Sequence, residues 1–253
     1  MAQSNADMQY PRIVAHRGFN TVAPENTMPA FGAAVALGAD ELEMDIWPTK
    51  DGAWIVCHDP TADRTSDGHG FLRDLTFDEI RCMDAGGWFS PHFKGLRFPV
   101  LEEVLRVFSG MAVFNIHVKS FETGFASEEE MFRRMVHIID ETQCRQHVYL
   151  AGDEKVLALA RSIEPGIPRC CLAGKKDGAI VEKAIEYECE KIQITKGFPD
   201  ENRIIKAARD RGIRCNLFWS DDPAEAERYL QSGIDAILTN DLLHVMYAVR
   251  KYQ

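Results

Sequence analysis

The sequence contains no run of eighteen apolar residues, so no membrane-spanning helix is expected. It has no excess of positive charge. A formal charge of −10 speaks against a general nucleic-acid surface, because such surfaces are basic. Its seven cysteines are odd in number and include no CxxC pair, which fits a reducing cytosol better than a disulfide framework. The opening stretch "MAQSNADMQYPR" lacks a basic segment followed by an apolar one, so no secretory signal is read and a cytoplasmic location is expected. Low-complexity tracts are absent too. None of this excludes an anionic substrate, since local Arg and Lys or a bound divalent cation can reverse the field inside a pocket.

What is present is an alternation. The 253 residues, 45% hydrophobic, suffice for one α/β barrel or two small domains. β-rich runs occur at 13–16, 41–46, 54–58, 113–118, 147–151, 169–173, 191–195, 214–218 and 236–239. Helical stretches follow at 127–142, 153–162, 177–187, 200–211 and 222–232. An earlier helix has Thr27 as N-cap, Pro29 in its first turn and Gly38 past its end. Strands alternating with helices imply a parallel sheet, and this many units point to a (β/α)8 TIM barrel over 1–253, with a doubly wound open sheet as the alternative. Nine strands are one too many for that barrel. "TKDG" at 49–52 accounts for the extra one as a hairpin turn. The Pro/Gly/Asp-rich stretch 60–99 is too long for a connection and is expected to form a small inserted subdomain or site cover, ahead of a helix at 100–108. Cys170 and Cys171 read as small buried hydrophobes.

The polar residues within the strands show where chemistry could lie. In "ELEMDI", Glu41, Glu43 and Asp45 share one face, and in "FNIHVK" Asn115, His117 and Lys119 do the same. Carboxylates in register are costly inside a barrel unless something positive compensates them. Exposure would also explain the pattern. A divalent cation is the simplest compensator, and Glu43 and Asp45 can both direct oxygens at one ion of the Mg²⁺ or Ca²⁺ type. His16 and Arg17 end the first strand. His58 ends the strand after the hairpin turn, which should bring it back beside Asp45.

The ordered motifs "HRG" (16–18), "PENT" (24–27), "ELEMDI" (41–46), "TKDG" (49–52) and "HD" (58–59) resemble the glycerophosphodiester phosphodiesterase family. The likeness continues through "DRTSDGHG", "FPVLEEVL" and "GIDAILTND". It implies a TIM barrel with the family's insertion at 60–99, and metal-dependent hydrolysis of glycerophosphodiesters to sn-glycerol 3-phosphate and an alcohol. By position it implies His16 and His58 as the acid/base pair, Arg17 as a phosphate ligand, Glu43 and Asp45 as metal ligands, Glu25 as a metal or substrate contact and Lys119 against the phosphate. In the family the nucleophile is thought to be the substrate's own glycerol hydroxyl; direct attack by water would use the same residues.

The departure is at 117, where the family's "N-I-E-x-K" strand carries Glu and this chain has His117. Imidazole in place of carboxylate predicts weaker Ca²⁺ binding and a shift toward Mn²⁺, Zn²⁺ or Co²⁺. The plainer reading leaves His117 as a hydrogen-bonding neighbour. Phe218 stands where relatives often carry an aromatic against glycerol or headgroup, with Trp219 next to it; core packing is the other reading. Trp88, Phe89 and Phe93 form either a pocket mouth or the insertion's own core, and Gln193 and Thr195 are placed to line the pocket. His69, His92 and His244 read as surface residues. Two other functions stay open: a phosphodiesterase for a sugar phosphodiester or lysophospholipid, and a non-catalytic phosphodiester-binding barrel. The partner expected is a small molecule, and the oligomeric state is not read.

Overall fold

The expected alternation closes on itself. The structure, a computed structural model, describes residues 4–5, 7–174 and 178–253. The first half runs β1 (Arg12–His16), α1 (Met28–Leu37), β2 (Glu41–Pro48), β3 (Trp54–Val56), α2 (Phe77–Arg81), α3 (Leu101–Phe108), β4 (Val113–Val118) and α4 (Glu128–Glu141). The second half runs β5 (Val148–Gly152), α5 (Glu154–Ile163), β6 (Arg169–Leu172), α6 (Ile180–Glu186), β7 (Lys191–Thr195), α7 (Glu201–Arg209), β8 (Arg214–Phe218), α8 (Pro223–Gln231), β9 (Ala236–Thr239) and α9 (Leu242–Arg250). Strands β1, β2 and β4 to β9 are parallel neighbours in that order, and β1 pairs with both β2 and β9. Because the sheet closes, the chain is a (β/α)8 TIM barrel and the open doubly wound sheet is excluded. The ninth strand, β3, runs antiparallel to β2 with Pro48 opposite Trp54. This is the hairpin expected from "TKDG", where Gly52 supplies a φ of 83°.

Period-two alternation sorts the side chains. Ile13, Ala15, Leu42, Met44, Phe114 and Ile116 point outward into one apolar cluster with helix residues such as Phe31, Val104 and Phe132. The alternate residues point into the barrel. At its base Glu41 is fully buried, 2.8 Å from Arg12 and 3.1 Å from Lys191, and it accepts a 2.6 Å hydrogen bond from the Tyr149 hydroxyl. The strand of three carboxylates is therefore an inner strand, and the exposed reading is excluded. Burial alone would raise the Glu41 pKa, but Lys191, Arg12 and the tyrosine outweigh it and hold the carboxyl below its ordinary range. A depressed folded pKa contributes stability above the unfolded value, and that stability is lost as pH falls through the folded one. Glu41→Gln is expected to cost about 3 kcal/mol at neutral pH, because Arg12 and Lys191 are left buried without their counter-charge. It should also flatten the acid side of the stability profile, read by urea denaturation across pH.

Several local expectations are corrected. Thr27 occupies the N-cap position of α1, but its hydroxyl donates to the Pro24 carbonyl and caps nothing. Gly38 does end the helix, with φ 87° and its N–H on the carbonyls of Ala34 and Val35. Strand β3 stops at Val56, so His58 lies just past it, although Cys57 still donates to the Asp45 carbonyl. The first residue of the helix expected at 177–187 lies outside the described residues, and α6 begins at Ile180. Between β3 and α3 a separate small core of Ile55, Cys57, Ala62, Leu72, Ile80, Ala85 and Phe98 holds the long segment together. Trp88, Phe89 and Phe93 belong neither to that core nor to the catalytic-end cavity. They form their own edge-to-face row, with ring centres 5.7 and 5.6 Å apart. Cys170 is buried, as is Cys171. No helix of the described residues is long and apolar enough to cross a membrane.

Candidate active site

Strand register assembles the site. Pairing aligns His16 with Glu43 and Glu43 with Asn115, and one step higher aligns Asp45 with His117. All five side chains point inward near the C-terminal ends of their strands, the end of a barrel where loops build active sites. A cavity of about 190 Å³ opens there, lined by His16, Arg17, Glu43, Asp45, His58, His117, Lys119, Leu172, Ala173, Gln193, Thr195 and Phe218. Residues 16 and 218 thus face one space.

Asp45 is the hub. Its Oδ1 lies 2.8 Å from Lys119 Nζ and 3.2 Å from His117 Nδ1, and its Oδ2 lies 3.4 Å from Arg17 Nε and accepts from Asn26 Nδ2 at 3.0 Å. Burial would raise its pKa, but the hydrogen bond from His117 and the charges of Lys119 and Arg17 hold it well below the ordinary value. Glu43 has less help. Burial first, and the adjacent Asp45 second, push its carboxyl up to about 8. A buried carboxyl pair that retains a proton near neutrality is short of positive charge. Glu43, Asp45 and His117 each place a ligand atom within 4.8 Å of the others, so the donor set fits a divalent cation.

His117 contributes through its lone pair. Its Nδ1 stands 3.2 Å from Asp45 Oδ1 and 3.0 Å from Lys119 Nζ, so one tautomer donates to the carboxylate and the other accepts from the ammonium, and each keeps one unprotonated ring nitrogen. Burial, foremost, lowers the ring's pKa and favours the neutral form, in which one ring nitrogen has a lone pair to offer.

His16 is fixed by residues from the far end of the chain. Asp221 accepts from Asn240 Nδ2 at 2.9 Å, which turns Asn240 Oδ1 toward His16 Nδ1, 2.8 Å away. His16 Nδ1 therefore carries the hydrogen, and Nε2 keeps its lone pair. Burial and then Arg17 lower the ring's pKa to about 4, so it is neutral at pH 7. The Trp219 ring stacks over it at 6.2 Å and Phe218 meets it edge-on at 5.1 Å. His58 is oriented differently: Nδ1 lies 2.6 Å from Asp59 Oδ1.

The "HRG" turn earns its glycine. Arg17 adopts φ 58° and Gly18 φ 80°, a left-handed pair that points the Arg17 N–H at Glu43 Oε2, 3.0 Å away. A Cβ on Gly18 would stand 2.7 Å from the Ala30 backbone.

Two predicted contacts fall elsewhere. Glu25 does not line the cavity. One of its oxygens takes Arg17 Nη1 at 2.9 Å, and both take Arg64. Trp219 stands behind His16 rather than on the cavity wall. Gln193 and Thr195 do line it, and His69, His92 and His244 are exposed. Sequence reasoning missed Arg64, Asn26, Asn240 and Asp221. Arg64 joins both halves of the site: it bonds Glu25, which holds Arg17, and Asp59, which holds His58. Asn26 had a usable signal, since Asn tolerates the left-handed φ of 55° that turns it onto Asp45.

An acid/histidine cavity with two cationic side chains, at the C-terminal mouth of a TIM barrel, defines a hydrolase for phosphate esters. Comparison with known proteins makes the class specific. The model of the glycerophosphoryl diester phosphodiesterase family matches residues 16–244. A glycerophosphodiester phosphodiesterase of Caldanaerobacter subterraneus subsp. tengcongensis is 30% identical over 94% of this chain and 98% of its own. One from Bacillus subtilis is 30% identical over 91% of this chain and 84% of its own. Among solved structures, the glycerophosphodiester phosphodiesterase of Agrobacterium tumefaciens aligns with TM-score 0.77 and 30% identity, covering 91% of this chain and 97% of that one. A phosphodiesterase of Oleispira antarctica, solved with the product sn-glycerol-3-phosphate, shares the fold at TM-score 0.84 and 24% identity, over 94% and 96% of the two chains. The chain belongs to the glycerophosphoryl diester phosphodiesterase family and is an enzyme of that class.

Proposed function

We propose that the protein hydrolyses glycerophosphodiesters to sn-glycerol 3-phosphate and an alcohol, with a divalent cation held by Glu43, Asp45 and His117. The observation that carries this reading is the convergence of three histidines, two carboxylates, Arg17 and Lys119 on one cavity. When bound, the cation supplies positive charge to the phosphoryl oxygens as negative charge builds on them. Arg17 and Lys119 contribute the same compensation from the protein side. His16, neutral with Nε2 unprotonated, is the base that takes the proton of the attacking hydroxyl. His58 is the acid that protonates the departing alkoxide. Asp59 holds the His58 Nδ1 at 2.6 Å, and Arg64 keeps Asp59 anionic.

The departing alcohol has somewhere to go. A groove of about 360 Å³, lined by Trp47, Phe71 and Phe121 among others, meets the catalytic cavity at Lys119. Its volume and its continuity with the catalytic cavity keep other diesters within the same reading. The net charge of −10 supports a small-molecule partner over nucleic acid. The buried thiols of Cys57, Cys144, Cys170, Cys189 and Cys215 support a cytoplasmic setting.

The test is turnover of glycerophosphocholine and related diesters with Mg²⁺, Ca²⁺, Mn²⁺, Co²⁺ or Zn²⁺, followed by release of sn-glycerol 3-phosphate. Chelation with EDTA is expected to abolish activity, and one of these ions to restore it. Binding of the diester without turnover, whatever the metal, would instead identify a non-catalytic barrel.

A further inference from the structure

The catalytic cavity has two unlike walls. On one side stand Glu43 and Asp45 with Arg17, Lys119 and the histidines. On the other stand Leu172, Ala173 and Phe218, with Gln193 and Thr195 from β7. Gln193 is the polar residue of that second wall that lies deep. It is 9% exposed, and its Oε1 is buried without a hydrogen-bond partner. The strand register sets it level with Leu172 of β6 and Asn216 of β8. Asn216 and Asn115, both inward and buried, add the unpartnered oxygens Asn216 Oδ1 and Asn115 Oδ1 to the same interior.

Buried amides without partners are rare, and they mark places where a ligand or water completes the hydrogen bonding. The chemistry of this wall narrows the choice. Among the described residues it carries no carboxylate to draw an amine headgroup and no cation to draw a second phosphate. It offers apolar carbon surface interrupted by the Gln193 amide and, nearer the solvent, the Thr195 hydroxyl, both of which donate and accept. That combination suits an alkyl chain bearing a hydroxyl.

We propose that Gln193 is a specificity-determining residue that reads a hydroxyl of the substrate's glycerol arm, seating that arm against Leu172 and Phe218 while the other alcohol leaves past Lys119. This inference rests on the phosphodiesterase reading for the identity of the arm. It goes beyond that reading in assigning the arm to the β6–β8 wall and its recognition to Gln193. The hydroxyl concerned is the terminal one, so an analogue that lacks it but keeps the vicinal hydroxyl isolates the contact from the chemistry.

The experiment pairs glycerol-based diesters with the matching propane-1,2-diol diesters, in wild type and in Gln193→Met, which keeps length and loses both polar atoms. Binding of sn-glycerol 3-phosphate and propane-1,2-diol 1-phosphate by calorimetry runs alongside. Wild type is expected to favour the glycerol compound about tenfold in kcat/KM and in affinity. Gln193→Met should lose that preference while still turning over the propanediol diester. An unchanged preference in Gln193→Met, or equal use of both compounds by wild type, overturns the assignment and leaves the phosphodiesterase reading standing. A Gln193-dependent difference in binding with no hydrolysis of any diester supports the assignment and overturns the catalytic reading. Gln193→Asn, which only withdraws the amide by one methylene, serves if the Met variant melts early, and it should show an intermediate preference.

Discussion

Replacing His16 with alanine is expected to lower kcat about a thousandfold with little change in KM, the loss typical of a removed general base. The size follows from what His16 alone can do. Its Nε2 is the unprotonated ring nitrogen, fixed there because Nδ1 donates to Asn240, whose own orientation is set by Asp221. Its ring stays neutral down to about pH 4, because burial and Arg17 disfavour the cation. The acid limb of kcat/KM that His16 carries therefore falls near pH 4, below the ordinary imidazole range, and should vanish in the variant. His58→Ala should lose a similar factor on ordinary diesters. The two variants separate when the leaving group is activated. A p-nitrophenyl diester needs no proton on departure, so it should rescue His58→Ala and not His16→Ala. Rescue of His16→Ala alone would reverse the assignment of base and acid.

Asp45→Asn is expected to abolish measurable turnover, with a loss of at least about a thousandfold, and to weaken divalent-ion binding in calorimetry. Asp45 is the point where Lys119, His117, Arg17 and Asn26 meet. Asparagine keeps the shape and removes the charge that balances Lys119 and Arg17. A stability loss of about 3 kcal/mol should accompany the change, so melting is measured beside activity. The metal-free variant is the informative control: the destabilisation should persist there, while the activity loss should not be repaired by excess ion. His117→Glu tests the neighbouring position in the opposite sense. It adds a carboxylate beside Glu43, whose own carboxyl is already pushed up to about 8. Without an ion the variant should be less stable than wild type. With one, preference should move toward Ca²⁺ and Mg²⁺ and away from Mn²⁺, Co²⁺ and Zn²⁺. An unchanged metal order would remove His117 from the ligand set and leave it a neighbour of Lys119.

Much of this was legible in residue order. Strands β4, β7, β8 and β9 run over the β-rich stretches read in the sequence, and the Asp-Gly turn correctly removed β3 from the barrel count. The face shared by Glu41, Glu43 and Asp45 was legible as well, since period two needs no partner to define it. Their division of labour was not. Glu41 closes the barrel's base with Arg12 and Lys191, while Glu43 and Asp45 open onto the cavity, and the alternation treats all three alike. The row of Trp88, Phe89 and Phe93 escaped for a related reason: aromatic residues attract one another wherever the chain brings them close, and neither expected role was needed.

The sequence by itself determined the barrel, the inner faces of its strands and the residues able to do phosphodiester chemistry, because backbone periodicity and side-chain type are local properties. Tertiary closure decided how those residues are charged, oriented and paired. Asn240 sets the tautomer of His16 from 224 positions away, and Arg64 bridges Glu25 and Asp59 across 39 and 5. Such contacts exist only once β9 pairs with β1 and the segment after β3 brings Arg64 against Glu25 and Asp59. Protonation depends on burial and on neighbours, and both are set by the closed barrel.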